Sequence, residues 1–247
     1  MQYLRSKLFD IFMVLWTIFL GAATPILMLW NDAGAIRAYS IFWAKGIAWG
    51  IKNIIGLGYN IEGVIPDDKR PYIVVSNHQS MWETIILVTL IPNVTFVAKK
   101  ELTRVPIFGW YMKKFPMILI DRSTGRSALA EILSKSSEAV ERGHSILIFP
   151  EGTRCGPDET KKYHFGVAAL YSKLGIPALT IAHNSGCFWN DEYSMKYNGT
   201  VTLKIIETIE PGMQTEKFLN HLEQSINEEK LLLVKRLNED DWRWALG

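Results

Sequence analysis

Cysteine is scarce in this chain. It occurs twice in 247 residues, as Cys155 and Cys187, too seldom for a disulfide framework or, unaided, a thiolate zinc site. One bridge between the two stays open beside the plainer reading of two reduced thiols. An excess of one charge is lacking too: 27 lysines and arginines face 25 acidic residues, for a net charge of +2. A dedicated nucleic-acid binder carries a clear basic surplus, so no nucleic-acid partner is expected. The glycine signatures of several enzyme classes are missing as well. Gly56-Leu57-Gly58 lacks the third glycine of a dinucleotide fingerprint, and Gly125-Arg126-Ser127 and Gly143-His144-Ser145 lack the closing glycine of a nucleophile elbow. There is no Walker loop and no His-Glu-x-x-His zinc helix, and no metal site is expected. Internal repeats and low-complexity stretches are absent.

What the chain has in quantity is apolar residues, 48% of the total against 21% charged, which excludes a disordered or collagen-like polypeptide. They are unevenly spread. Positions 11–30 read IFMVLWTIFLGAATPILMLW, 20 residues without a charge. As a helix, that just crosses the roughly 30 Å hydrocarbon core of a bilayer. Arg5 and Lys7 precede the run, as in a signal peptide, and Gly21-Ala22-Ala23 offers small residues for cleavage. A secretory apolar region is only about 7–15 residues long, however, and this one continues to Trp30. A core helix is the soluble alternative, though a domain of this size rarely needs a chargeless one so long. A retained membrane-anchoring segment is expected, with Gly21 and Pro25 leaving open whether it crosses or bends back. Residues 35–58 mix Phe42, Trp43, Ile47, Trp49, Ile54 and Ile55 with Arg37, Lys45 and Lys52. That suits a helix in the lipid interface or one packed on the first.

Beyond Gly58 the texture changes. Short runs of strand character occur at 59–64, 72–76, 94–98, 117–120, 145–149, 178–182 and 201–206. Helical patterns occupy 82–91, 126–143, about 167–174, and a charged amphipathic tail at 214–237 that reads as one helix or two. Alternation of this kind predicts an α/β fold, a central mixed sheet flanked by helices. The expected division is 1–58 for N-terminal membrane-associated helices and 59–247 for the α/β domain. Polar clusters fall just after apolar runs, where such folds place their ligand sites.

Three clusters carry chemistry. In Asn77-His78-Gln79-Ser80-Met81-Trp82-Glu83, His78 and Glu83 are five apart. On one regular helix they would diverge by about 140°, but they meet if His78 lies in the turn before the helix. A carboxylate on one imidazole nitrogen fixes the tautomer and makes the other nitrogen a general base. Without that meeting, the pair is a cap or a packing accident. In Phe149-Pro150-Glu151-Gly152-Thr153-Arg154 a strand ends in a tight turn. Its amides and guanidinium suit a phosphate, although an ordinary turn with a surface ion pair reads the same. Ile120-Asp121-Arg122 offers a second arginine, and Lys99-Lys100 adds cations that are otherwise a solvated charged edge.

Together these blocks resemble the glycerolipid acyltransferase superfamily, in particular the 1-acylglycerol-3-phosphate acyltransferases. NHQSMWE stands for the family's Asn-His-x4-Asp block, with Glu83 in place of the usual aspartate. The stretch 106–122, PIFGWYMKKFPMILIDR, stands for its phosphate-binding block, and Phe-Pro-Glu-Gly-Thr-Arg at 149–154 is intact. A fourth block matches loosely at 175–182 and lacks the family's second proline. The resemblance spans about residues 60–210.

It implies acyl transfer from a thioester to the free sn-2 hydroxyl of lysophosphatidic acid, giving phosphatidic acid for phospholipid synthesis. His78 would be the base and Glu83 its orienting partner. Arg122 and Arg154, with Lys99 or Lys100, would hold the phosphate; Glu151 would orient an arginine or bind a hydroxyl. Gly152 and Thr153 complete the binding turn. No cofactor is implied; the thioester, on coenzyme A or acyl carrier protein, is a co-substrate. The lysophospholipid resides in the membrane and acyl thioesters in the cytosol, so a cytoplasmic membrane face is expected, with the N-terminal segment dipping in and returning. Two rivals stay open: another acceptor, such as a lyso-ornithine lipid, and a catalytically silent membrane-bound lipid-binding protein.

Overall fold

The computed structural model describes residues 1–30, 32–104, 109, 117–120, 126–189 and 195–237, with the side chains of 24–30, 33, 99, 102, 104 and 126 left out of the description. Two long helices come first: α1 (Gln2–Trp30) and α2 (Ala33–Gly50), which runs into one wider π-helical turn, Ile51–Ile55. Asp32 starts α2 by accepting the N–H groups of Gly34 and Ala35 on its carboxylate, a cap for amides that have no partner inside the helix.

Strands and helices then alternate: β1 (Leu57–Glu62), β2 (Ile73–Ser76), α3 (Trp82–Leu90), β3 (Val94–Lys99), β4 (Ile118–Ile120) and α4 (Arg126–Glu141). They continue as β5 (Ser145–Ile148), α5 (Gly166–Leu174), β6 (Ala178–His183), β7 (Gly199–Ile209) and α6 (Thr215–Lys235). The strand expected at 201–206 extends in both directions as β7. The charged tail is a single helix.

The seven strands lie in the order β1-β7-β6-β2-β5-β3-β4. Every pairing is parallel except β6 with β7, so the sheet is mixed. Its central strands are buried on both sides, which is why 73–76 and 178–183 read as unbroken runs without polar alternation. Successive side chains of β2 enter opposite layers. Val74 packs in a cluster with α2 and α3, and Ile73 and Val75 pack in another with α5 and α6.

Helix α2 packs between α1 and α3. Its buried residues Ile36, Ser40, Ala44 and Ile47 recur at helical spacing, so the second of the two sequence readings of this segment, packing on the first helix, describes the fold. Gly46 and Gly50 present bare backbone to α1. A Cβ at either would stand 2.4 Å from the ring of Trp16 or Phe12, so glycine is what allows those rings to seat. The other side of α1 is open: Leu4, Leu8, Ile11, Val14, Leu15, Ile18 and Phe19 are all exposed. By length and composition Gln2–Ala23 is sufficient to cross a membrane. Its first turns are tied to the α/β portion, where the nearly buried Lys196 ammonium meets Asp10 at 2.6 Å and Ser6 Oγ accepts the Lys196 N–H.

Candidate active site

Strands β2, β5 and β6 are parallel neighbours, so the loops that follow them emerge at one edge of the sheet. Asn77, the first residue past β2, staples two of these loops together. Its Nδ2 donates to the His183 carbonyl at 2.9 Å and its Oδ1 accepts the His183 N–H at 3.0 Å. The fully buried His183 ring donates Nε2–H to the Asn77 carbonyl at 2.8 Å, while its Nδ1 faces the Ser185 N–H. Burial pulls the pKa of His183 down, which suits this neutral tautomer; the ring is a structural clasp.

His78 lies in the turn before α3, and Glu83 in the first turn of that helix. The two therefore meet despite their five-residue spacing: His78 Nδ1 is 2.7 Å from Glu83 Oε1. The same oxygen accepts the N–H groups of Gln79 and Ser80, each at 2.8 Å. The other, Oε2, accepts the Ser80 hydroxyl at 2.6 Å and the Ser185 hydroxyl at 2.9 Å. Burial alone would push this fully enclosed carboxyl up. The hydrogen bonds donated by His78 and by the Ser80 hydroxyl outweigh it and hold Glu83 well below the usual carboxylate range. Backbone N–H groups are obligate donors, so Glu83 is an ionised acceptor and His78 carries its proton on Nδ1. The lone pair on Nε2 is left for a substrate. The ring lies flat against Phe149, 4.1 Å between centroids and 11° between planes, and its side chain keeps 18% exposure, enough to be approached from one side.

The 149–154 turn backs His78 directly. Glu151 Oε2 accepts the His78 N–H at 2.6 Å, and the Cys155 N–H donates to the His78 carbonyl at 2.9 Å. Glu151 is only 2% exposed; burial pushes its carboxyl up to about 7 against the pull of the His78 N–H and of Lys230. Its carboxylate thus grips the His78 backbone from beneath. Gly152 takes φ +70°, which closes the turn in a conformation that glycine favours. Thr153 is exposed and Arg154 half-buried. Burial lowers the Arg154 pKa and the charge of Glu83 opposes that shift.

Lys100 is exposed in the turn Lys100–Arg104 after β3. Lys99 ends β3, but its side chain lies outside the described residues, as does the whole of Arg122. The structure thus gathers His78, Glu83, Glu151, Gly152 and Arg154 around one turn pair. Both cysteines are free and buried. Burial pushes the Cys155 thiol up to about 11, away from the thiolate that a nucleophile needs. Among the described residues no cluster of three or more His, Cys, Asp or Glu side chains could hold a metal. Sequence reasoning missed Ser185, 102 positions from Glu83, because a serine after an apolar strand carries no local signal of its partner.

Comparisons with known proteins bear on the family and the fold. The family model described as Acyltransferase matches residues 59–184. The chain is 35% identical over 174 residues to a 1-acyl-sn-glycerol-3-phosphate acyltransferase of Pseudomonas aeruginosa, covering 70% of this chain and 66% of that one. It is 32% identical over 114 residues to the lyso-ornithine lipid O-acyltransferase of the same organism, covering 46% of this chain and 43% of that relative. The chain thus spans less than two thirds of the length of either relative. The crystal structure of the 1-acyl-sn-glycerophosphate acyltransferase PlsC from Thermotoga maritima superposes with a TM-score of 0.73 at 22% identity, over 94% of this chain and 99% of that one. That likeness is one of fold.

Proposed function

Since the chain belongs to the acyltransferase family, we propose that it transfers a fatty acyl group from an acyl thioester to the free sn-2 hydroxyl of 1-acyl-glycerol-3-phosphate. The observation that carries this reading is the His78–Glu83 pair at 2.7 Å, with Nε2 free of the carboxylate and Arg154 in the adjoining turn. In this mechanism Nε2 takes the hydroxyl proton as the oxygen attacks the thioester carbonyl carbon. The carbon–sulfur bond then breaks, and the departing thiolate takes the proton back from Nε2. The products are an ester and a free thiol, and no acyl-enzyme forms. The imidazolium that appears in passing is stabilised by Glu83, whose charge is fixed by its buried donors. A positioned base supplies about 10²–10⁴-fold; orientation of the two substrates supplies much of the remainder. Arg154 and Lys100, with Lys99 and Arg122, are assigned to the phosphate, the guanidiniums offering the forked donor geometry that phosphate oxygens accept.

The exposed apolar face of α1 supports association with the membrane in which the lysophospholipid resides. The Lys196–Asp10 contact fixes the start of α1 on the α/β portion. That supports a hairpin whose N-terminus stays on the catalytic, cytoplasmic side, and tag accessibility at both ends tests it. Coenzyme A and acyl carrier protein are both admissible carriers of the donor.

The likeness to the lyso-ornithine lipid O-acyltransferase favours a second reading, with a phosphate-free acceptor. Membranes containing the protein, given a labelled acyl thioester and a panel of lyso-lipids, decide. Label in phosphatidic acid that disappears in His78→Ala supports the leading proposal. Label only in another lipid transfers the mechanism to that acceptor, and no label anywhere points to a silent lipid-binding protein.

A further inference from the structure

The buried face of α6 is built from Phe218, Leu222, Ile226, Lys230, Leu233 and Val234, at helical spacing. One of these positions is not apolar. Lys230 is fully enclosed, with 0% exposure, on a helix whose other lysines could have taken the solvent side. Lysine is almost never buried without a partner, and the partner here is the active-site turn. The Lys230 ammonium donates to the Glu159 carbonyl, and the acidic groups that face it are Glu151, Cys155, Glu159 and Asp158.

The same turn of α6 touches the other arm of the site. The Leu233 carbonyl accepts from Asn184 Nδ2 at 3.2 Å, and Asn184 adjoins Ser185, which holds Glu83. Glu159 in turn organises its own loop, accepting the Gly156 N–H and the Cys155 thiol. Cys155 and Glu151 are the two residues that grip the His78 backbone, one at the carbonyl and one at the N–H. A path of direct contacts therefore leads from α6 to the proposed base.

We propose that Lys230 is a positioning residue for His78, holding the 150–159 loop in place and supplying the buried counter-charge for Glu151. The inference rests on the reading of His78 as the general base. Glu151 has one oxygen on the His78 N–H and the other buried without a hydrogen-bond partner, so its charge depends on cations that stand near without touching. These are Lys230 and Lys161, set against the like charge of Glu83. Lys161 is exposed to solvent on one side and committed to the Arg154 carbonyl, which leaves Lys230 as the enclosed one. Burying either member of an opposite pair alone is strongly unfavourable, whereas losing both together is tolerated.

The experiment compares Lys230→Met, Lys230→Arg, Glu151→Gln and the double variant Glu151→Gln/Lys230→Met. Kinetics are read beside the ring resonances of 13C-labelled histidine, with the His78 signal assigned by its loss in His78→Ala. Lys230→Met should lower kcat by about 10- to 100-fold with KM little changed and move the His78 resonance. Lys230→Arg should do less of both, and removing Lys230 should cost less in the Glu151→Gln background than in the wild type. Wild-type kcat and an unmoved His78 signal in Lys230→Met would overturn the proposal. So would a loss of the same size in the Glu151→Gln background. If Lys230→Met does not fold by itself, the double variant decides: charge compensation requires it to fold, and its failure sinks the idea. Should the wild type acylate no lyso-lipid, the proposed activity falls, while the His78 resonance still decides the role of Lys230.

Discussion

Ser185 and Ser80 donate their hydroxyls to the same oxygen of Glu83, although one of them lies 102 residues away in the chain. Their own oxygens are 2.9 Å apart, and with each proton committed to the carboxylate, no proton is left to bridge them. Ser185→Ala removes one of five contacts to a buried charge. The expected outcome is a stability loss of about 1.5–3 kcal/mol, read by chemical denaturation. A fall in kcat of about tenfold should accompany it, with KM steady.

Glu83→Gln tests the charge itself. Two backbone N–H groups, two hydroxyls and the imidazole N–H all point at this side chain. An amide that keeps its oxygen on the N–H groups turns its NH2 to the two hydroxyls, which can rotate to accept it. The negative charge that stabilises the imidazolium, however, is gone. Activity should fall by about 10²–10⁴-fold, comparable to His78→Ala. The two losses should not add, since both variants disable the same base. Additive losses in the double variant would show that Glu83 serves something other than His78.

Glu151 gives a pH signature in stability. Its folded value of about 7 lies above the ordinary 4.5, so the folded state holds this proton more tightly than the unfolded chain does. The associated stability is complete below about 4.5 and is lost as pH rises through 7. Glu151→Gln keeps the neutral form throughout. From a low-pH difference that includes the cost of leaving Lys230 unpaired, its stability relative to wild type should rise by about 3 kcal/mol across that window. Denaturation at a series of pH values reads this difference, and a flat difference would contradict the assignment.

The open face of α1 supplies a fourth test. Leu8 and Leu15 are exposed and lie two turns apart on one stripe. Replacing both with arginine should leave the melting temperature unchanged. Binding to phospholipid vesicles should weaken by at least about tenfold, because the apolar area of two leucines leaves the lipid. Equal flotation of the variant and wild-type proteins with vesicles would place the contact elsewhere.

Much of this architecture can be read from the residues, and the rest resists for physical reasons. Runs such as 73–76 and 145–148 announce buried parallel strands, because both faces of the sheet are covered. The meeting of His78 and Glu83 follows from placing one before a helix start and the other within its first turn. The extended β7 is harder, since Thr200 near its start and Glu207-Thr208 near its finish are polar and not buried. Ser185 and Lys230 are harder still. Their partners are set by which loops the strand order brings to one edge, and neither residue type signals that locally. Lys230 does leave a trace: it occupies a core position of the stripe 218, 222, 226, 230, where a solvated lysine would break the pattern.

The two thiols bear on how the chain can be assayed. Cys155 and Cys187 are 3% and 1% exposed, and burial pushes both upward, so neither presents a thiolate to a reagent in water. Acyl transfer of the proposed kind liberates one thiol for each ester formed. A chromogenic disulfide added to the reaction would therefore count turnovers continuously against a silent protein background. The same colour reaction becomes a clock of unfolding: when the packing fails, two further equivalents per chain should appear, timed by loss of the native state and independent of substrate.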